Sequence, residues 1–134
     1  MQSIGSIDRK RFLLVEDNEL NMDISEILLK DAGANITKAM NGLQAVDVFK
    51  KNPPGTFDMI LMDVMMPIMD GYEATRCIRS LERTDAKEIP IIAMTANAFA
   101  EDVKKAKQAG MNAHLAKPLD VGKMLTMIAK YVKR

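Results

Sequence analysis

The sequence carries a single cysteine, Cys77, a single histidine, His114, and only 4% aromatic residues among its 134. One cysteine excludes an internal disulfide and fits a reducing compartment. One histidine and no thiolate cluster exclude the grouped nitrogen and sulfur donors of a zinc centre. No apolar run approaches the roughly 20 residues that cross a bilayer. The opening MQSIGSIDRKR lacks an apolar signal region and a small-residue cleavage site, so neither membrane contact nor export is expected. Nor does either charge dominate: 19 basic residues face 18 acids, for a net charge of +1, which gives no nucleic-acid signature. A cytoplasmic location is the expectation.

What is present suits one globular domain, with 48% hydrophobic and 28% charged residues. Residues 1–10 read as a flexible or artificially appended segment, and 11–134 as the domain. Charge is uneven along it. From Asp102 to Arg134 there are eight Lys or Arg and two acids, either a solvated helical face or a partner-docking surface. Twelve methionines, with Met65, Met66 and Met69 crowded together, read mainly as adaptable packing, or as a repackable region.

The pattern alternates strand and helix. Short apolar runs predict strands at 12–15, 34–39, 57–62, 89–94 and 113–116. Between them, helical spacing places Leu20, Ile24, Ile27 and Leu28 on one face, then Ala45, Val46 and Phe49, then Ala74, Ile78 and Leu81, then Phe99, Val103 and Ala106. A last helix carries Val121, Met124, Leu125, Ile128 and Val132. Asn18 reads as a cap and Gly33 as a stop. The expected fold is a doubly wound α/β (βα)5 three-layer sandwich around a five-stranded parallel sheet.

In such a sheet, functional groups collect beyond the carboxyl ends of strands. The expected strand ends bring together Glu16 and Asp17, Asp63, Thr95 and Lys117. Three crowded carboxylates need a cation, and an all-oxygen donor set favours Mg²⁺, with Mn²⁺ as a substitute. Asp63 would then be free to act as a nucleophile in phosphoryl transfer, with Lys117 and Thr95 supplying charge and a hydroxyl donor. Taken singly, each has a plain alternative: a turn or helix cap, a solvated acid, a surface lysine.

The runs LLVEDN, ILMDVMMPIMDG, IIAMTANA and AKP, in that order, resemble the receiver domains of two-component response regulators, over roughly Arg11 to Lys133. The resemblance implies strand order 2-1-3-4-5, with Asp63 as phosphoacceptor from a phosphohistidine. It implies Asp17, Glu16, Asp63 and the backbone carbonyl of Met65 as metal ligands and Lys117 as the phosphate-pairing lysine, followed by a cis Pro118. Thr95 and His114 take the switch positions, and Met65 and Asn97 those that tune phosphoryl lifetime. His114 stands where an aromatic residue is commoner, and Glu16 where aspartate is. The switching surface would be residues 99–133, which could also form a homodimer.

VEDNELN, MTANA and GMNAHLAKP look most like receivers attached to hybrid histidine kinases. The partner would be a histidine kinase core or a histidine phosphotransfer domain, docking near Asn21, Met22 and Ser25. With no output unit before Arg134, the expectation is a receiver from a larger protein, or a stand-alone one. Such a domain assists its own phosphorylation and dephosphorylation without being a multiple-turnover enzyme. The alternative is a degenerate receiver acting as a binding or dimerisation module. A flavin carrier lacks its phosphate-cradling loop here, and a haloacid-type hydrolase would need more chain.

Overall fold

The computed structural model describes residues 8–95, 100–117 and 120–131. Along these the chain forms β1 (Arg11–Val15), α1 (Glu19–Asp31), β2 (Asn35–Ala39), α2 (Gly42–Lys51), β3 (Met59–Asp63), α3 (Gly71–Arg79), α4 (Thr84–Glu88), β4 (Ile91–Thr95), α5 (Ala100–Ala109), β5 (Ala113–Ala116) and α6 (Val121–Tyr131). All strand pairings are parallel, in the order β2-β1-β3-β4-β5, as expected. No helix among the described residues is long and apolar enough to cross a membrane.

Sequence dictates position in the sheet. The uninterrupted runs MILMD and IIAMT are buried at every residue and form the central β3 and β4, covered on both faces. The polar NITKA buries only Ala39 fully and forms the β2 edge. Alternation then divides the core. Leu13, Val15, Ile60, Met62, Ile91 and Ala93 pack against α2, α3, α4 and α5, whereas Phe12, Leu14, Leu61, Ile92, Met94 and Leu115 pack against α1 and α6. Buried methionines, Met59 and Met62 among them, serve as packing in both layers.

Helix ends follow their side chains. Asn18, Asn41 and Asp70 each accept a backbone N–H three residues on, at 2.8, 2.8 and 2.9 Å, capping α1, α2 and α3. Gly33, at φ +99°, ends α1 in the left-handed conformation.

Several expectations are corrected. Of the α1 face read from Leu20, Ile24, Ile27 and Leu28, only Leu28 packs against the core, and it is half-buried. Leu20, Ile24 and Ile27 are 67, 47 and 65% exposed, while Met22, Ser25 and Leu29 face the core. The helix has two apolar stripes, and the one containing a serine goes inward. The polar link at 82–88 contains the one-turn helix α4. Strand β4 starts at Ile91 because Ile89 still bonds back to Asp85 and Pro90 has no N–H to give a ladder. Strand β3 starts at Met59, not at residue 57. Of the segment expected to be free at 1–10, the last residues join the fold. Arg9 N–H donates to Gly33 O at 2.8 Å, and Lys10 O accepts from Asn35 N–H at 2.8 Å. Phe99 and Val132 lie outside the described residues.

The amino ends of the strands are laced by arginines. Arg79 donates to Gly110 O at 3.0 and 2.9 Å, to Ala86 O at 3.0 Å and to Asn112 Oδ1 at 3.0 Å. Asn112 Oδ1 also accepts the Ile91 N–H, and Asn112 O accepts the Tyr131 hydroxyl. Arg83 pairs with Asp85 at 2.8 Å, donates to Phe49 O at 3.1 Å and stacks over the Phe49 ring.

The two stripes of α1 separate in a stability measurement. Leu29→Ala lowers the unfolding free energy by about 2–5 kcal/mol in urea melts. Ile27→Ala stays within about 0.5 kcal/mol of the parent.

Candidate functional site

Strands β1 and β3 lie side by side, with Val15 in register with Met62. This places Glu16, the first residue past β1, beside Asp63, the last residue of β3. The ladder continues beyond the strand ends: Glu16 N–H donates to Ala39 O at 3.1 Å, Val64 N–H to Met94 O at 3.0 Å, and Lys117 N–H to Thr95 O at 2.9 Å. The backbones that carry the chemistry are therefore held by the sheet itself. Glu16 and Asp63 are only 1% and 2% exposed, and Asp17 is exposed.

Lys117 arrives from the end of β5 to join them. Its Nζ sits 3.2 Å from Glu16 Oε1 and 3.1 Å from Asp63 Oδ1. Oxygens of Glu16, Asp17 and Asp63 lie within 4.8 Å of one another, a group able to hold a metal ion. One ammonium cannot balance this many carboxylates. The consequence shows in Asp63, whose carboxyl is pushed up to about 7 by burial and, against the pull of Lys117, by the charge of Glu16. Burial works to depress the Lys117 ammonium, but its bonds and attraction to Asp63 and Glu16 outweigh that and raise it. Both shifts have one origin: burial and the neighbouring charges make the second carboxylate harder to ionise and the lysine harder to deprotonate. With two buried members and one exposed, all-oxygen and short of positive charge, the donor set fits a hard divalent ion.

The loop from Val64 to Asp70 is braced from two sides. Gly71 N–H donates to Val64 O at 2.9 Å and Gly42 N–H to Met69 O at 3.1 Å. A Cβ on Gly71 would run into the backbone oxygen of Asp63, and one on Gly42 into that of Met69, so both positions require glycine's missing side chain. Between them Ile68 takes φ +72° in a three-residue turn closed by Met69 N–H to Pro67 O at 2.7 Å. That conformation is unfavourable for a β-branched residue.

Glu16, Asp17, Asp63 and Lys117 thus converge as expected from the sequence. Thr95 is the last residue of β4, 8% exposed and in register with Ala116. Met65 lies two residues beyond Asp63 with its side chain 74% exposed. His114 is inside β5, half-buried and in register with Ala93. Asn97 and Pro118 lie outside the described residues. Sequence reading did not foresee the apolar surface beside the acids. The exposed large hydrophobic residues among those described are Leu20, Ile24 and Ile27 on α1, Met40 and Leu43 at the turn into α2 and its first turn, and Met65 and Ile68 in the loop after β3. The isoleucine spacing in α1 held the signal, but it was read as core.

Comparison with known proteins agrees with this geometry. The family model described as response regulator receiver domain matches residues 12–129. The hybrid signal transduction histidine kinase B of Dictyostelium discoideum is 42% identical over 130 residues, covering 90% of this chain, which spans 6% of that kinase. A solved receiver domain of a Pseudomonas aeruginosa sensor histidine kinase, with a magnesium ion coordinated in its active-site cleft, superposes with a TM-score of 0.82. It is 38% identical, covering 92% of this chain and 97% of its own. A Saccharomyces cerevisiae co-crystal structure of a histidine phosphotransfer signalling protein with the receiver domain of its downstream response regulator matches with a TM-score of 0.83. It is 29% identical and covers 93% and 90% of the two chains.

The Asp63 shift fixes the sign of a pH dependence. Its folded value of about 7 lies above the ordinary 3.8, so the folded state binds the proton more tightly. The stability this confers is full below about pH 4 and is lost as the pH rises through 7. The lowered carboxyls of Asp85 and Glu26 act below that window and the raised Lys117 above it. In a metal chelator, urea midpoints fall from pH 5 to pH 8. Asp63→Asn removes that fall, and Mg²⁺ raises the wild-type midpoint more at pH 8 than at pH 5.

Proposed function

The chain belongs to the response regulator receiver domain family, and from that premise we propose that Asp63 accepts a phosphoryl group from the phosphohistidine of a histidine kinase core or a histidine phosphotransfer domain. One observation carries the reading: Asp63 is buried at the end of β3, 3.1 Å from Lys117, in a carboxylate group able to hold a metal ion. An ionised Asp63 oxygen forms the bond to phosphorus, and the bond from phosphorus to the histidine nitrogen breaks with its electron pair staying on nitrogen, leaving an aspartyl phosphate and, with the other ring nitrogen of the donor protonated, a neutral imidazole. Lys117, already poised on both acids, pairs with the phosphoryl oxygens as charge builds on them. Thr95, at the end of the neighbouring strand, supplies a hydroxyl donor.

Glu16, Asp17, Asp63 and the backbone carbonyl of Met65 would hold Mg²⁺, or Mn²⁺ in its place. Bound there, the ion neutralises negative charge on the phosphoryl oxygens. Met65 and Asn97 control access of water and so the lifetime of the phosphoryl group. Its charge then alters the surface formed by residues 99–133, where a homodimer could also form. The assignment to a hybrid kinase draws on the Dictyostelium relative. No chemical residue is missing, so the degenerate reading has no observation behind it.

The exposed apolar surface gives the donor its dock. Met22 and Ser25, expected to help there, are buried, and the neighbouring Leu20, Ile24 and Ile27 take their place. An apolar helical partner, such as the phosphotransfer protein of the yeast complex, suits this stripe beside the acids. Ile24→Asp and Ile27→Asp slow transfer from a phosphohistidine protein roughly tenfold more than they slow labelling by acetyl phosphate.

Intact mass after incubation with Mg²⁺ and acetyl phosphate tests the acceptor itself. The protein gains one labile phosphoryl group, released by base or hydroxylamine, and Asp63→Asn gains none. A folded, Mg²⁺-binding protein that gains nothing from any phosphodonor returns the domain to a binding role.

A further inference from the structure

The methionines of this chain divide by position. Met22, Met59, Met62, Met94, Met111 and Met124 are buried. Met66, Met69 and Met127 are half-buried and pack against the core. Among the described residues only two thioethers are exposed, Met65 at 74% and Met40 at 36%. Both stand at the carboxyl end of the sheet, Met65 two residues past Asp63 and Met40 just past β2. The Gly42 N–H bonded to Met69 O sets the turn carrying Met40 and Leu43 against the loop carrying Met65 and Ile68. The thioethers open to solvent therefore lie on the apolar rim of the acid cluster rather than scattered over the surface.

Met65 belongs to neither core layer, and its neighbour Val64 is fixed at both backbone groups, N–H to Met94 O and O to Gly71 N–H. A thioether held outside in this way is adaptable contact area for a partner, and it is also open to two-electron oxidants. With hydrogen peroxide as oxidant, a lone pair of Met65 Sδ attacks one peroxide oxygen. The S–O bond forms as the O–O bond breaks, and the proton on the transferred oxygen passes to the departing hydroxide, giving sulfoxide and water. Sulfur loses two electrons and the peroxide gains them. Two thiols, acting through methionine sulfoxide reductases, take the oxygen back as water and become a disulfide. The sulfoxide is a strongly polar group set in an apolar rim, and a partner that covers it must strip its water away.

We propose that Met65 is a reversible oxidation site through which peroxide slows the phosphorylation of Asp63 by a phosphohistidine protein. The inference rests on the phosphoacceptor reading of Asp63 and on the apolar dock assigned to the donor. A small phosphodonor covers no rim, so oxidation at Met65 separates the two routes to the same aspartyl phosphate.

The test follows oxygen uptake by peptide mass mapping under limiting hydrogen peroxide. Met65 takes up the first oxygen, and Met40 follows. Initial rates of phosphorylation with Mg²⁺ are then measured from acetyl phosphate and from a histidine phosphotransfer protein chosen because it phosphorylates the untreated chain. Oxidation slows the protein route roughly tenfold and the acetyl phosphate route by less than about twofold, and methionine sulfoxide reductases with a thiol restore the first. Met65→Leu, which retains Met40 and Cys77, transfers at the same rate before and after treatment. First uptake at another residue, an unchanged transfer rate once Met65 is oxidised, or equal slowing of Met65→Leu overturns the inference and leaves Asp63 as acceptor. Labelling that persists in Asp63→Asn overturns the acceptor reading and this inference with it.

Discussion

A single ammonium shared by two buried carboxylates governs the site. Lys117, at the end of β5, reaches Asp63 two strands away and Glu16 three strands away in the sheet, and the three groups form an ion cluster in which both carboxylates are buried. Burying such charges is costly, and the cluster is short of positive charge even with the lysine in place. It is a poor source of stability, and its oxygens form a group able to hold a cation. Burial raises Asp63 first and the charge of Glu16 adds to it, and a divalent ion held by these acids would relieve both.

Such an arrangement persists only if the backbone over-determines it. Parallel pairing carries the ladder past the last residues of β1, β3 and β5, and the glycines at 42 and 71 let the loop after Asp63 pack against the starts of α2 and α3. The loop thus holds a strained Ile68 and an exposed Met65 without losing its place. Rigidity beneath the acids and apolar exposure beside them are two results of the same bracing.

Much of this was legible in the amino-acid order, for identifiable reasons. Continuous apolar runs announce central strands, and acids or lysines placed right after them announce a functional edge, since each strand delivers its terminal residue to the same side of the sheet. What was not legible depends on contacts far apart in sequence. The meeting of Glu16 with Lys117 spans 101 residues. The orientation of α1 is decided by which of two apolar stripes the sheet accepts, and Ser25 in the buried stripe misleads any reading by hydrophobicity. The one-turn α4, TDAKE, is too short and polar for a period to emerge. Thr95 and His114 were identified by position, but the cavity they share is a product of packing among α3, α5 and the edge strand.

The arginine-laced end of the sheet has a consequence for how the molecule can vary. Arg79, Arg83 and Asn112 fasten helices and loops at the amino ends of the strands, whereas the acids and Lys117 lie at the carboxyl ends. A five-residue strand separates these poles by roughly 16 Å, beyond the ~7–10 Å over which substitutions couple strongly. Changes at the two ends should therefore combine almost additively. Thermodynamic reserve and reactivity are held at opposite poles of the same sheet, and sequence change can explore one while leaving the other intact.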